Sequence, residues 1–319
     1  MVRRALRTSG TVQGLVTSMT IATLSAATCF TPNAVAELAV HAIRAEADLT
    51  PKPGLVDQRG SGAHADMDVA TLHASAESLR EAFAECASAA AQSVAWPELR
   101  YRLGEIGRAG ETAMLAATGG VNTHRGALWA LGLLSAGAVL GRSTADAVDI
   151  AARLASIPDR YSAAPTSNGA RARRRFGVSG AAGEAQAGFP HVRLYALPAL
   201  RTARRAGMDE ASARLEALLA LMATLDDTCI LHRGGATGLS AVQDGARKVL
   251  AAGGISTPRG RRHFNALDDT CLSQRLSPGG SGDLLAVTMF LDALDDSALD
   301  DSALDDGALD NGEAQPCKP

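Results

Sequence analysis

The chain has 319 residues, a net charge of −3, 46% hydrophobic side chains and only 3% aromatic ones. That length fits one large domain or two modest ones, and a core so poor in aromatics must be built from Leu, Ala, Val and Ile, which favours packed helices over a sheet sandwich. No basic stripe interleaves with aromatics, which argues against nucleic-acid binding, and no apolar stretch is long enough to span a membrane.

Taken in chain order, residues 2–30 begin with Arg3 and Arg4 and run through "GLVTSMTIATLSAATCF", faintly like a secretory signal. Thr and Ser interrupt the apolar part at nearly every second position, so residues 1–33 are expected to be a loosely ordered extension. Residues 34–49 place Val35, Leu38, Ala39, Ala42 and Ile43 on one helical face. The stretch "EADLTPKPGLVDQRGSGAHADMD", residues 46–68, then carries prolines, glycines, a histidine and five carboxylates, with little to build a core. Loops of that length inside compact domains are uncommon and tend to be functional.

A helix is expected after Asp66 or Asp68, with Val69, Leu72, Ala76, Leu79 and Phe83 at three- and four-residue spacing. Another is expected over 97–117, and an all-round apolar, hence buried, helix over 126–140. An amphipathic helix follows over 144–156, then a mostly irregular, partly basic segment, then helices over 209–225, 238–252 and 282–294. From Ala293 the units "ALDDS", "ALDDS", "ALDDG" and "ALDNG" repeat every five residues, a period matching neither 3.6 nor 7. Such an acidic repeat is expected to be a disordered tail, 293–319, whose removal after Asp292 leaves activity nearly unchanged.

No alternating strand pattern occurs. The expected fold is all-α: one compact helical domain, 34–292, around buried central helices, with Gly-rich polar loops forming a site. The five cysteines are odd in number, far apart and without a C-x-x-C pair. They argue against a disulfide framework or a zinc site, and for reduced thiols in a cytoplasmic protein. With the acidic end set aside the chain is mildly basic, which suits an anionic small molecule such as a nucleotide.

Five polar blocks interrupt the helices: the 46–68 stretch, "GGVNTHRGA" at 119–127, "GAAGEAQAGFPHVR" at 180–193, "LDDTCILHRGG" at 225–235 and "LSPGGSGDLLA" at 276–286. Each has a plain structural explanation. Glycines end helices, Asp66 or Asp68 can cap one, and His124 and His232 can be satisfied core side chains. Together they exceed what helix connections require. Gly-rich turns at helix starts can present N–H groups to phosphates. Asp226, Asp227, Asp66, Asp68 and Asp283 are oxygen ligands of the kind Mg²⁺ prefers, and Lys52, Arg125 and Arg233 can neutralise phosphate. There is no P-loop, no dinucleotide fingerprint followed by a strand–helix unit, and no nucleophile elbow.

The blocks "LTPKPGLVD…GAHADMD", "GVNTHRGA", "GEAQAGFPHVR", "DDTCILHRGG" and "SPGGSGDLLA" resemble, in order and spacing, the triphosphoribosyl-dephospho-CoA synthases, over roughly residues 35–292. The "HRGG" and "GFPHVR" forms resemble the malonate decarboxylase version more than the citrate lyase version. Ala182, where the family usually has Arg, and Cys229, where it often has Asn, depart from the pattern.

The resemblance implies that ATP donates its 5-triphosphoribosyl group to the 2′-hydroxyl of 3′-dephospho-CoA with release of adenine. The product is the prosthetic-group precursor, which a separate phosphoribosyl-dephospho-CoA transferase attaches to an acyl carrier protein. Asp66, Asp68, Glu184 and Asp227 are then the catalytic carboxylates, since an oxocarbenium-like transfer needs charge stabilisation and a proton acceptor. Lys52, Asp57, His64, Asn122, His124, Arg125, His232, Arg233, Gly234, Gly235, Ser277, Gly279 and Gly280 are the substrate-binding set, and Asp226, Asp227 and Asp283 the Mg²⁺ set. Two other readings share the carboxylates or the glycines: a Mg²⁺-dependent helical hydrolase of a nucleotide-ribosyl bond, and a non-enzymatic helical scaffold.

Overall fold

A computed structural model describes residues 30–93, 95–161 and 167–308. Most of the extension expected over 1–33, and the chain end from 309, lie outside the described residues. The expected all-α fold is what forms: among the described residues there is no strand, only one isolated bridge between Asp57 and Gly60.

The chain forms α1 (Pro32–Asp48), α2 (Val69–Ser78), α3 (Arg80–Gln92), α4 (Trp96–Ala117), α5 (Arg125–Leu140) and α6 (Thr144–Ser156). It continues as α7 (Asn168–Phe176), α8 (Gly180–Gln186), a π-helical turn (Val192–Ala196), α9 (Leu197–Arg205) and α10 (Glu210–Thr224). It ends in α11 (Thr228–Ala251), α12 (Pro258–Ser273) and α13 (Gly279–Ala308). Thr31 caps α1, its hydroxyl accepting the Ala34 N–H, and Pro32 follows where a missing N–H costs nothing.

Two helices are buried almost all round, as their composition requires. One is α5, wrapped by α1, α3, α4, α6 and α13. The other is α10, with Leu215 and Ala217–Ala223 buried against α9, α11 and α13. The last helix, α13, packs against α1, α5 and α10, and so joins the two halves of the core.

The structure departs from the sequence reading where tertiary packing overrides local pattern. The single helix expected after Asp68 is two, divided at Leu79. The segment read as irregular holds α7 and α8, because Ser167 caps α7 and Gly177 ends it in the left-handed region. The periodicity did not reveal α12; of its side chains only Phe264, Leu267, Asp268 and Cys271 are buried, with Gly260, on an otherwise polar helix. α11 starts ten residues before the expected helix at 238, and Gly235 (φ 63°, ψ −161°) kinks it.

The boundary expected at 293 falls inside α13. Leu294 is buried, Arg201 bonds Asp292 and Asp295, and Arg204 bonds Asp292. A chain ending after Ser297 is therefore expected to melt like the full protein, whereas one ending after Leu291 loses Leu294 and both aspartates. Deleting a buried leucine alone costs about 2–5 kcal/mol, so the shorter chain should melt roughly 5–15 °C lower. Thermal denaturation of the two truncations checks this; equal melting points would return the boundary to 292.

Candidate active site

All five polar blocks meet on one cavity of ≈ 860 Å³. Its floor is made where the N-terminal ends of α11 and α13 converge, and one side chain joins them. Asp227 caps α11, with Oδ1 accepting the Cys229 N–H (2.9 Å) and the Ile230 N–H (3.4 Å). Its Oδ2 accepts the Ser281 N–H (2.8 Å) and Oγ–H (3.1 Å). A carboxylate has about four lone-pair sites, and four protein donors already fill them at Asp227. It acts as a clamp between two helices and has no lone pair left for a cation, which removes it from the expected metal and catalytic sets.

The first turn of α13 explains its glycines. A Cβ on Gly279 would press on the Cys229 sulfur, one on Gly280 on the Asp227 carboxylate and one on Gly282 on Glu46 Oε1, each at 3.1 Å. Asp283 in turn lies against Gly126, where a Cβ would overlap its carboxylate. Gly279 and Gly280 thus line the cavity by giving up side-chain volume to neighbouring polar groups, and the N–H groups expected to meet phosphate are partly taken by Asp227. Burial raises the pKa of both Asp227 and Asp283, but Asp283 has far fewer donors against it. The protein gives it the Ala127 N–H, while burial and the nearby Glu46 and Asp227 carboxylates push its pKa well above the ordinary carboxylate range.

The 46–68 stretch forms a wall braced from within. Lys52 is fully buried, and its Nζ donates to the Glu46 carbonyl (2.6 Å) and to Glu46 Oε1 (2.7 Å). The expectation that Lys52 reaches a phosphate is therefore replaced by a buried ion pair at the cavity edge. Asp57 does not line the cavity. It accepts the Lys52 N–H (2.8 Å) and bonds Arg59, which reaches Asp268 on α12 at 2.6 Å. Burial pushes Asp57 up in pKa, but the Arg59 hydrogen bonds and the backbone donors outweigh it and the net shift is downward. Gly54 (φ 68°) turns the loop where a Cβ would overlap the Leu276 carbonyl.

At the mouth, His64 Nε2 bonds Ser277 Oγ (2.8 Å) and Nδ1 accepts from Arg233 Nη2 (3.1 Å), with Asp66 3.5 Å away. Burial, then the Arg233 charge, lower the His64 pKa and Asp66 opposes them. Asp66 is exposed on the cavity rim, but Asp68 is not in the cavity wall: it caps α2, accepting the Thr71 N–H (2.8 Å) and hydroxyl (2.7 Å). Gly234 and Gly235 also lie outside the wall. Gly234 makes room for Leu276, and Gly235 supplies the kink in α11.

Asn122, His124 and Arg125 come from the turn into α5. His124 is buried, its Nδ1 bonding Ser75 Oγ at 2.8 Å, and burial drives its pKa down to about 4. Glu184, on α8, lines the cavity and is held from behind by His191, whose N–H (2.8 Å) and Nδ1 (2.7 Å) meet its two oxygens. That bond raises the His191 pKa against its burial. Asp226 and His232 line the rim; burial, then Arg171 and Arg233, lower the His232 pKa.

Among the described residues no three His, Cys, Asp or Glu side chains are grouped so as to hold a metal alone. Mg²⁺ is commonly bound by one or two carboxylates together with substrate phosphates. Asp283, with so little compensation, and the exposed Asp226 fit that arrangement; Asp227 does not.

Sequence reasoning missed Glu46, although it opens the quoted stretch, and it missed the wall formed by α4. There Arg100, Gly104, Gly107, Arg108 and Glu111 all line the cavity. Their spacing of four, three, one and three is a helical stripe, and it was readable on the face adjoining that of Leu99, Ile106 and Met114.

The charged cavity lies among the helix ends of an all-α protein, and the similarity to known proteins makes that protein an enzyme, a transferase. The chain belongs to the ATP:dephospho-CoA triphosphoribosyl transferase family, which it matches over residues 32–301. It is 54% identical to a probable 2-(5″-triphosphoribosyl)-3′-dephosphocoenzyme-A synthase of Stutzerimonas stutzeri, over 83% of this chain and 92% of that one. Proteins of the same name from Azotobacter vinelandii (54%; 82% and 91% covered) and Pseudomonas aeruginosa (52%; 82% and 90%) are similar to it as well. No solved structure matches the chain. No helix among the described residues is long and apolar enough to cross a membrane.

Removing one partner of a buried ion pair costs about 3–5 kcal/mol, so Lys52→Met should lower the melting temperature by roughly 10 °C. Asp68→Ala removes only an exposed cap and should lower it by about 2–4 °C with turnover unchanged. Scanning calorimetry and turnover on both variants check this; a turnover defect in Asp68→Ala would restore the catalytic assignment.

His124 has a folded pKa below its unfolded value, so the unfolded chain takes up the proton first. Its contribution to stability is complete above about pH 6.5 and is lost as pH falls toward about 4. The loss is on the order of 3 kcal/mol. In His124→Asn, which can still bond Ser75, stability should fall less steeply between pH 7 and pH 4.5; parallel pH profiles from denaturant titrations would refute the assignment.

Proposed function

We propose that the enzyme transfers the 5-triphosphoribosyl group of ATP to the 2′-hydroxyl of 3′-dephospho-CoA and releases adenine. The observation that carries this reading is the convergence of all five polar blocks on one cavity large enough for more than one nucleotide-sized group, with carboxylates concentrated on its floor and rim. The family match and the relatives' names support the same reaction.

The 2′-oxygen bonds to C1′ of the ATP ribose as the C1′–N9 bond breaks. The hydroxyl loses one proton, adenine gains one, and the triphosphate stays intact. Asp66, exposed at the mouth beside His64, accepts the hydroxyl proton. Glu184, held in place by the two His191 hydrogen bonds, offsets the positive charge that builds on the ribose. Asp283 and Asp226 would hold Mg²⁺, which when bound neutralises the triphosphate and fixes its position. The product then passes to a phosphoribosyl-dephospho-CoA transferase and an acyl carrier protein. The "HRGG" and "GFPHVR" forms favour malonate decarboxylase as the destination, and Cys86, Cys229 and Cys271, all free thiols, favour the cytoplasm.

The test is adenine release from ATP by the full-length protein, with and without dephospho-CoA, followed by mass analysis of the product. Release that requires dephospho-CoA and yields the triphosphoribosyl adduct is expected. Release without an acceptor would make the protein a hydrolase, and no release would make it a scaffold. In the same assay Asp283→Asn should raise the Mg²⁺ concentration needed for half-maximal rate, whereas Asp227→Asn should chiefly lower the melting temperature.

A further inference from the structure

The α4 wall carries charge that neither the sequence reading nor the family match assigns. Arg100 is buried, with its guanidinium 5.1 Å from the centre of the Trp129 ring. Its one acidic neighbour, Asp159, stands 3.9 Å away and is committed elsewhere, to Arg108 (2.7 Å) and the Tyr161 N–H (3.0 Å). Asp159 can lie against the helix only because residue 104 is glycine; a Cβ there would overlap its carboxylate. Beyond Trp129, one turn back along α5, Arg125 pairs with Glu111. Three buried N–H groups in this wall have no partner among the described residues: Nε of Arg100, Nε of Arg125 and Nε1 of Trp129.

Buried donors in native proteins are nearly always satisfied. Three orphans on adjoining side chains that all line one cavity therefore call for an acceptor that arrives with a ligand. The wall holds three guanidinium groups against two carboxylates and has a net positive charge. Burial, reinforced by Arg108, lowers the Arg100 pKa despite Asp159, so its charge is poorly compensated. The opposite side differs in kind: the carboxylates Glu46, Asp226, Asp227 and Asp283 stand together there, with Lys52, Arg173 and Arg233 as the cations of that part of the lining, so a phosphate chain there gains from a divalent cation.

We infer that Arg100, Arg125 and Trp129 form a metal-independent subsite for a diphosphate, and that it receives the diphosphate of dephospho-CoA while the ATP triphosphate occupies the acidic side. The inference rests on the proposed transferase reaction for the identity of the ligand. A diphosphate bridge offers oxygens on two phosphorus centres, matching guanidinium and indole donors that point from neighbouring helices. The acceptor would then lie along α4 with its 2′-hydroxyl within reach of Asp66 at the mouth.

The experiment measures the affinities of the full-length protein for dephospho-CoA and for Mg·ATP by titration calorimetry, on the wild type, Arg100→Met and Arg100→Lys. A charge-assisted bond lost from a buried site should weaken dephospho-CoA binding roughly 10-fold or more in Arg100→Met, with a smaller loss in Arg100→Lys. Mg·ATP affinity should stay within about twofold. Equal losses for both ligands, a selective loss for ATP, or no loss would overturn the subsite.

A second arm needs no variant. With EDTA present, inorganic diphosphate should compete with dephospho-CoA on the wild-type protein; failure to compete overturns the proposal. Absence of adenine release would end the transferase reading by itself, while the diphosphate competition would still report on the wall.

Discussion

The clamp at Asp227 is the constraint from which the rest of the site follows. Two helices start at the cavity floor, and the free N–H groups of both starts need acceptors. One carboxylate serves both, so α11 and α13 are fixed to each other end to end. Because α13 also packs on α1, α5 and α10, the clamp ties the floor to both buried central helices. The glycines at 279, 280 and 282 are a second-order result: helix backbone can come this close to a thiol and two carboxylates only where side chains are missing.

The electrostatics follow the same layout. Glu46 is held by fully buried Lys52 and Asp227 by N–H groups, but Asp283 has the Ala127 N–H set against two carboxylate neighbours. Across the cavity the imbalance reverses, with Arg100 left short of a partner. Unbalanced charge is costly inside a protein, and Asp283 and Arg100 both lie in the walls of one cavity. Pairs elsewhere, such as Arg201 and Arg204 with Asp292, close on themselves.

Much of this was legible in the sequence. The polar blocks were found because Gly, Asp and His interrupt helices that otherwise need nothing but Ala and Leu, and the all-round apolar run 126–140 identified α5 as central. What the sequence could not show was the direction of each side chain. Lys52 between two prolines looked ready for a phosphate, yet it turns inward to Glu46. Asp68 and Asp66 were equivalent on paper; helix geometry turned one into a cap and left the other on the rim. Gly234 and Gly235 looked like part of a binding loop, but one accommodates Leu276 and the other bends α11. Arg100, Arg108 and Glu111 went unnoticed for a different reason. They sit in a regular helix whose apolar face drew the attention, and charges on the other face usually meet only solvent.

The glycine-built floor also bears on how such an enzyme can be altered. Positions 126, 279, 280 and 282 have no space for even a methyl group without displacing a carboxylate, a thiol or an ion-paired side chain. A floor of that kind is tightly fitted: a single substitution there pushes on a polar group of the frame before it reshapes the cavity. The α4 stripe, by contrast, contains Gly107, where an added side chain would meet nothing within 4 Å. Changes in which molecule is accepted therefore meet least resistance at residue 107 and more at the floor, so one part of the cavity is freer to vary than the other.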